Sequence, residues 1–88
     1  MLTVYKYNIP IEDYFELDLP INSKILCFQI QNEKPTLWVL VNPYNTLYRH
    51  KFRLFGTGHP ISEDYNLSYI GTCQMMEGAL IWHLFELI

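Results

Sequence analysis

Apolar and polar residues alternate along most of this chain with a period of two, and the 3.6-residue period of an amphipathic helix is almost absent. Residues 14–19 show this most clearly, because Phe15, Leu17 and Leu19 alternate there with a tyrosine and two carboxylates. Such alternation is typical of a β-strand with one face on a core and the other in solvent. Proline, asparagine, serine and glycine cluster between these stretches and indicate turns.

The alternation predicts seven short strands separated by turn signals. The predicted strands are residues 2–8, 14–19, 24–31, 36–41, 48–55, 67–76 and 79–87. Turns recur at intervals of about ten residues, which is typical of all-β sandwiches and small barrels. We therefore expect an all-β domain, either an antiparallel sandwich or a small, partly open barrel of about six to seven strands.

Several predicted strands carry finer expectations. Residues 36–41 are apolar on both faces, which indicates a central, covered strand. In the third strand, Leu26, Phe28 and Ile30 are expected to share one face. Gly71 in the sixth indicates a bulge or a close backbone approach. Residues 79–88 are apolar at almost every position, so strand and buried helix both remain open, although aromatic and branched side chains favour a strand.

The composition indicates one small domain with an apolar surface. With 88 residues, the chain is expected to form a single domain over residues 1–88. Half of the residues are hydrophobic (50%) and 16% are aromatic, but only 17% are charged, against about 25% in an average globular protein. We therefore expect part of the apolar surface to be shared with a second copy, in a dimer or higher homo-oligomer.

The charge is unevenly distributed along the chain. The net charge is −3, yet three of the six lysine and arginine residues fall within residues 49–53. A nucleic-acid-binding domain usually has a net positive charge, so a nucleic-acid partner is not expected. A local basic patch on an acidic protein instead favours a small anionic ligand.

Cysteines and histidines give no sign of a metal site or a cofactor. Cys27 and Cys73 are too few for a disulfide framework and lack metal-ligand spacing, so we expect buried thiols. His50, His59 and His83 are far apart and form no metal-binding motif. The chain has neither a signal-peptide pattern nor an apolar run of about 20 residues, so we expect no membrane contact and a cytoplasmic protein.

A basic stripe is predicted on the fifth strand. Arg49, Lys51 and Arg53 occupy alternate positions, so they should project from one face with neighbouring head groups about 6–7 Å apart. Three cations at this spacing match a di- or triphosphate, and arginine presents a planar fork to phosphate oxygens. The alternatives are a solvated strand face or protection against edge pairing.

A glycine-flanked loop follows the stripe at Gly56, Thr57, Gly58 and His59. Two glycines allow the backbone to approach a ligand and expose N–H groups to an anion. Thr57 adds a hydroxyl, and His59 adds a donor that depends on protonation. The loop lacks the Gly-Lys-Ser/Thr ending of a phosphate-binding P-loop. The alternative is a structural turn.

Two aromatic residues are candidates for stacking on a base or for an interface. Tyr48 begins the basic strand, and Trp82 lies in the last one. If Ile81, His83 and Phe85 face inward, Trp82 and its alternating apolar neighbours face outward and form a dimer seam.

Two segments resemble a family of small proteins of unassigned function found mainly in bacteriophage genomes. They are FRLFGTGHPI at residues 52–61 and YIGTCQMMEGALIWHLFE at residues 69–86. Shorter matches at residues 24–26 and 35–43 extend the resemblance to most of the chain. It implies a phage accessory protein, and such proteins often act against host defence by blocking a complex or by sequestering a signalling nucleotide.

Together these patterns predict a non-enzymatic counter-defence protein of the host-cell cytoplasm that sequesters a small anionic, nucleotide-derived ligand. Two alternatives remain open: a protein-interaction module that blocks a host complex through the last strand or an exposed edge, and a small virion or assembly component. The predicted ligand-binding residues are Arg49, Lys51, Arg53, Gly56, Thr57, Gly58 and His59, with Tyr48 or Trp82 stacking on the base.

Overall fold

The computed structural model describes all 88 residues and shows two antiparallel sheets packed as a sandwich. The strands are β1 (Thr3–Asn8), β2 (Tyr14–Pro20), β3 (Lys24–Gln31), β4 (Lys34–Val41), β5 (Leu47–Gly56), β6 (Leu67–Met75) and β7 (Leu80–Leu87). The all-β prediction is therefore confirmed, and the last segment is a strand rather than a helix. No helix has the length and hydropathy required to span a membrane.

The chain passes back and forth between the two sheets. Sheet A has the strand order β1-β4-β3, and sheet B has the order β2-β5-β7-β6. Only β3–β4 and β6–β7 are hairpins between consecutive paired strands, and a 3₁₀ turn at Met76–Gly78 closes the second of them. The other pairings join strands that are distant in the sequence.

The core lies between the sheets and is built from alternate residues of the central strands. Leu37 and Val39 of β4 are fully buried, as are Phe52 of β5 and Leu84 of β7. The prediction of a central strand at residues 36–41 is confirmed by the strand order, but the outer face of β4 is only partly covered. Trp38 lies on its outer face and is half-buried, because no further layer packs there.

Bulges in β3 and β6 shape the side of the sandwich where these strands meet. The register of β3 shifts between Ile25 and Cys27, which turns Leu26 outward, so the expectation that Leu26 shares a face with Phe28 is wrong. The register of β6 shifts next to Gly71. A Cβ atom on Gly71 would lie 3.3 Å from the Phe28 Cβ, so the close approach expected at this glycine is confirmed.

Candidate functional site

The basic stripe lies on the outer face of β5, as the alternation predicts. β5 is an inner strand of sheet B, with β2 on one side and β7 on the other, so the stripe does not protect a sheet edge. The register places Arg49 opposite Asp18 and Lys51 opposite Glu16 of β2. Carboxylates therefore face two of the three cations.

Arg49 and Arg53 each have hydrogen-bond partners within the protein. Arg49 Nε donates a hydrogen bond to Asp18 Oδ1 at 3.1 Å and lies 3.6 Å from Glu16 Oε1. The hydrogen bond to Asp18 raises the pKa of Arg49, and the charges of Asp18 and Glu16 add to this effect. Arg53 Nε donates to the Asp13 carbonyl at 2.9 Å, and its guanidinium lies 4.6 Å from the Tyr65 ring centre.

The glycine-flanked loop is held by contacts typical of a structural turn. The His59 N–H donates to the Gly56 carbonyl at 3.1 Å, and Gly58 between them has a positive φ of 84°. The His59 ring packs against Gly56, where a Cβ atom would approach to 2.8 Å. Thr57 Oγ1 lies 2.7 Å from His83 Nε2, so the hydroxyl already has a partner.

His83 anchors this loop to sheet B through both of its ring nitrogens. Its Nδ1 lies 2.9 Å from Thr72 Oγ1, and the Tyr69 hydroxyl lies 2.6 Å from the same oxygen. Each threonine hydroxyl is able to donate or accept, so the network is satisfied by either imidazole tautomer. The network keeps the loop in place against β6 and β7.

The stripe and the loop do not form one site. Along a strand that rises about 3.3 Å per residue, Arg49 and Thr57 are about 26 Å apart, and Arg53 is about 13 Å from Thr57. A single small anion cannot contact both ends. The structure therefore separates two groups of residues that adjoin in the sequence.

The orientation of β7 is opposite to the one required for the expected dimer seam. Leu84 is fully buried on the inner face, and Trp82 shares that face opposite Gly56 and Cys73. Ile81, His83 and Phe85 are the outward residues, so the apolar seam built on Trp82, Leu80 and Leu84 is wrong.

Trp82 is also poorly placed to stack on a ligand base. Its indole N–H is buried and has no hydrogen-bond partner. Two small clefts beside Trp82 and His59 measure ≈ 130 Å³ and ≈ 200 Å³. Sites for small molecules usually measure about 300–1,000 Å³, so neither cleft accommodates a nucleotide.

Two larger clefts meet at the opposite end of sheet B. The inner cleft measures ≈ 370 Å³ and lies between the first residues of β3 and β6, with Ser23, Lys24 and Ser68 among its polar lining residues. The terminal cleft measures ≈ 590 Å³ and lies beyond the end of β7, where Tyr48 and Lys51 line it with Arg49, Leu87 and Ile88. His50 and Glu86 line both clefts.

The shared wall of the two clefts is a hydrogen-bonded pair of a histidine and a glutamate. His50 Nδ1 lies 2.6 Å from Glu86 Oε2, and the side chains are only 20% and 23% exposed. β5 and β7 bring the pair together, because Glu86 lies opposite Phe52, two residues beyond His50 on the same face. The sequence reasoning missed the pair, although a carboxylate in the apolar last strand was a signal that Glu86 needs a partner.

Tyr48 stands at the mouth of the terminal cleft. Its side chain is 60% exposed, and its ring meets the His50 ring edge-to-face with centres 5.3 Å apart. Phe52 supports the other side of His50 with a ring-centre distance of 6.3 Å. The terminal cleft thus brings together three of the predicted site residues, Tyr48, Arg49 and Lys51, but neither Arg53 nor the glycine-flanked loop.

The clefts carry cations that remain available to a ligand. Arg49 contacts the carboxylates of Glu16 and Asp18, and His50 contacts that of Glu86, whereas neither Lys24 nor Lys51 lies within 4.0 Å of a carboxylate. Each cleft therefore has one lysine ammonium that is free to meet an anion. No three histidine, cysteine, aspartate or glutamate side chains lie close enough together to hold a metal ion.

Comparison with known families assigns the chain to one family. The family profile of DUF7352, a domain of unknown function, matches residues 1–88. The chain belongs to that family. No curated protein and no solved structure matches it. The resemblance to an uncharacterised family is confirmed, and a functional proposal for this DUF7352 domain rests on its own geometry.

Proposed function

We propose that the protein is a non-enzymatic binding protein that captures a small anionic, nucleotide-derived ligand in the inner and terminal clefts. The observation that carries this proposal is that the two clefts, of ≈ 370 Å³ and ≈ 590 Å³, share His50 and Glu86 as lining residues. These volumes lie in the range of small-molecule sites, which is about 300–1,000 Å³.

The chemistry of the lining residues matches the parts of a nucleotide. The Tyr48 ring is exposed at the cleft mouth and offers a face to a base. Lys51 in the terminal cleft and Lys24 in the inner cleft offer ammonium groups to phosphate oxygens. Arg49 supplies positive charge beside Lys51, although Asp18 and Glu16 offset part of it.

The proposal of a binding protein draws on the environment of His50. Glu86 orients the imidazole through Nδ1, as in catalytic triads, but no serine or threonine hydroxyl is hydrogen-bonded to the ring. Ser23, the hydroxyl of the inner cleft that comes from the β2–β3 turn, donates to the Pro20 carbonyl instead. The site thus has an oriented histidine with no serine or threonine hydroxyl hydrogen-bonded to it.

The biological role that we propose follows from this binding chemistry and from the resemblance to phage proteins. A phage protein in the host cytoplasm that retains a nucleotide signal would withdraw it from host defence. The interaction-module alternative cannot use Trp82 and Leu84 of the last strand, because both face inward. The exposed edge of β1 remains available to that alternative.

Native mass spectrometry tests the proposal, with purified protein incubated in a nucleotide extract of bacterial cells. We expect a discrete adduct that heat releases. Lys51→Glu should weaken the affinity at least about 10-fold, because it replaces a charge-assisted contact with repulsion. Lys34→Glu is the matched control, because it makes the same change of charge in the β3–β4 hairpin, away from both clefts. This variant should keep the affinity within about twofold of the wild type.

Two results would refute capture in these clefts. One is the absence of any nucleotide adduct across extracts. The other is an adduct that Lys51→Glu and Lys34→Glu weaken equally, since the effect would then follow the net charge and not the cleft.

A further inference from the structure

Three of the four edge strands carry features that hinder pairing with another chain. β2 ends in Pro20 and presents the carboxylates of Glu16 and Asp18. β3 and β6 each contain a bulge, and they approach each other at Phe28 and Gly71. Proline, charge and bulges are the usual protections of sheet edges.

β1 has neither a proline nor a bulge, and its only charged residue is Lys6. It pairs with β4 over six consecutive residues without a bulge, and its other side is free. It contains no proline, and its one charged residue, Lys6, donates a hydrogen bond from Nζ to Gln31 Oε1 at 2.8 Å. Val4 and Tyr5 are 49% and 44% exposed. β1 thus offers an open backbone edge flanked by apolar side chains.

The inner face of β1 is also incompletely covered. Thr3, Tyr5 and Tyr7 lie on the same side as the buried face of β4, because Tyr5 is paired with Val39 and Tyr7 with Leu37. Tyr7 packs against the core, but Tyr5 does not become buried. Tyr5 therefore points inward at an open sheet edge, where a strand paired with β1 would cover its exposed side.

We propose that a second copy of this chain pairs with β1 antiparallel across a two-fold axis, joining two three-stranded sheets into one sheet of six strands. Residues opposite each other in an antiparallel pair point to the same face, so the axis must pass through a residue position of β1. An axis at Lys6 places two lysines opposite each other, and an axis at Val4 pairs only three residues of the strand.

An axis at Tyr5 avoids both problems and makes the strand complementary to itself. Tyr5 then lies beside the partner's Tyr5 on the inner face, and Thr3 lies beside the partner's Tyr7. On the outer face Val4 lies opposite the partner's Lys6, so no like charges meet. Aromatic and β-branched cross-strand pairs of this kind stabilise sheets, and the main-chain hydrogen bonds of the free edge are satisfied.

Opposite charges at one position test both the interface and its register. Val4→Lys places a lysine opposite the partner's Lys6 twice in each dimer, whereas Val4→Glu places a carboxylate there. Wild type should be a dimer in analytical ultracentrifugation. Val4→Lys should bind its copy at least about 10-fold more weakly than Val4→Glu does, because two repulsions replace two attractions.

The two variants control for each other, since both put a charge on the same exposed position of the monomer. A wild-type protein that remains monomeric at about 100 µM would overturn the proposal. Equal association of Val4→Lys and Val4→Glu would overturn it as well, and would leave β1 free for a strand of another protein.

Disulfide trapping checks the register without relying on stability. In a Cys27→Ser background, Tyr5→Cys should form a disulfide-linked dimer on oxidation, since opposed residues of an antiparallel pair have Cα atoms about 4.5–5.5 Å apart, within disulfide reach. Thr3→Cys and Tyr7→Cys should cross-link only when the two variants are mixed. Cross-linking of Thr3→Cys alone, with none for Tyr5→Cys, would contradict the axis at Tyr5.

Discussion

Cys73 lies on the inner face of β6 opposite Trp82, where burial raises the pKa of its thiol to about 11. The thiolate is the reactive form of cysteine, so the native protein should resist alkylation of Cys73 by iodoacetamide at pH 8. Labelling should increase as the pH approaches 11. Peptide mass spectrometry measures it, with the urea-unfolded chain as the control. Equal labelling of native and unfolded protein at pH 8 would show that the thiol is not protected.

The same raised pKa has a consequence for stability, with a defined sign. The unfolded thiol ionises near its ordinary value of 9.0, while the folded thiol keeps its proton until about pH 11. Between these values the unfolded state has lost a proton that the folded state retains, so the contribution of Cys73 to stability falls as the pH rises from 9 to 11.

Residue orientation was predictable where the strand is regular, but the partners of a residue were not. The period of two correctly placed Arg49, Lys51 and Arg53 on one face of β5. The carboxylate that binds Arg49 comes from Asp18, 31 positions earlier, and that contact depends on β2 being the neighbour of β5. The His50–Glu86 pair likewise depends on β7 lying beside β5. Alternation reveals faces but not strand order.

At the scale of elements, the sequence predicts every strand, because turn residues separate the alternating segments clearly. The bulges were harder to predict from the sequence. A bulge adds one residue to one strand of a pair and reverses the faces on its two sides, so the orientation of Leu26 was wrong. Gly71 was informative, because a glycine in the interior of a strand often marks a bulge or a close backbone approach.

The contact between β3 and β6 yields a prediction for Gly71. Gly71→Val should destabilise the protein by about 1–3 kcal/mol, because the added methyl groups crowd the Phe28 side chain. Phe28→Ala should cost about 3–5 kcal/mol through the cavity that it leaves. The double variant should lose less unfolding free energy than the sum of the two single losses, because the valine fills part of the space that Phe28→Ala vacates. Urea unfolding measures all three, and strict additivity would show that the two positions do not interact.

At the scale of the whole molecule, the strand order implies slow folding. The pairings β1–β4, β2–β5 and β5–β7 join segments that are distant in sequence, and their loops must close before the contacts form. Refolding should therefore take milliseconds to seconds, as in other small all-β domains, rather than microseconds. Stopped-flow fluorescence of Trp38 and Trp82 follows it, and a microsecond relaxation would contradict this expectation.

The strand order also determines how the chain can be divided. β2 belongs to sheet B, although it lies in the sequence between two strands of sheet A. A cut in the turn between Asn42 and Thr46 leaves one fragment with the whole of sheet A and a single strand, β2, whose partner β5 is in the other fragment. The first fragment thus donates β2 to the sheet of the second fragment. The turn is therefore a suitable position at which to split the chain for a reporter that assembles only when both fragments are present.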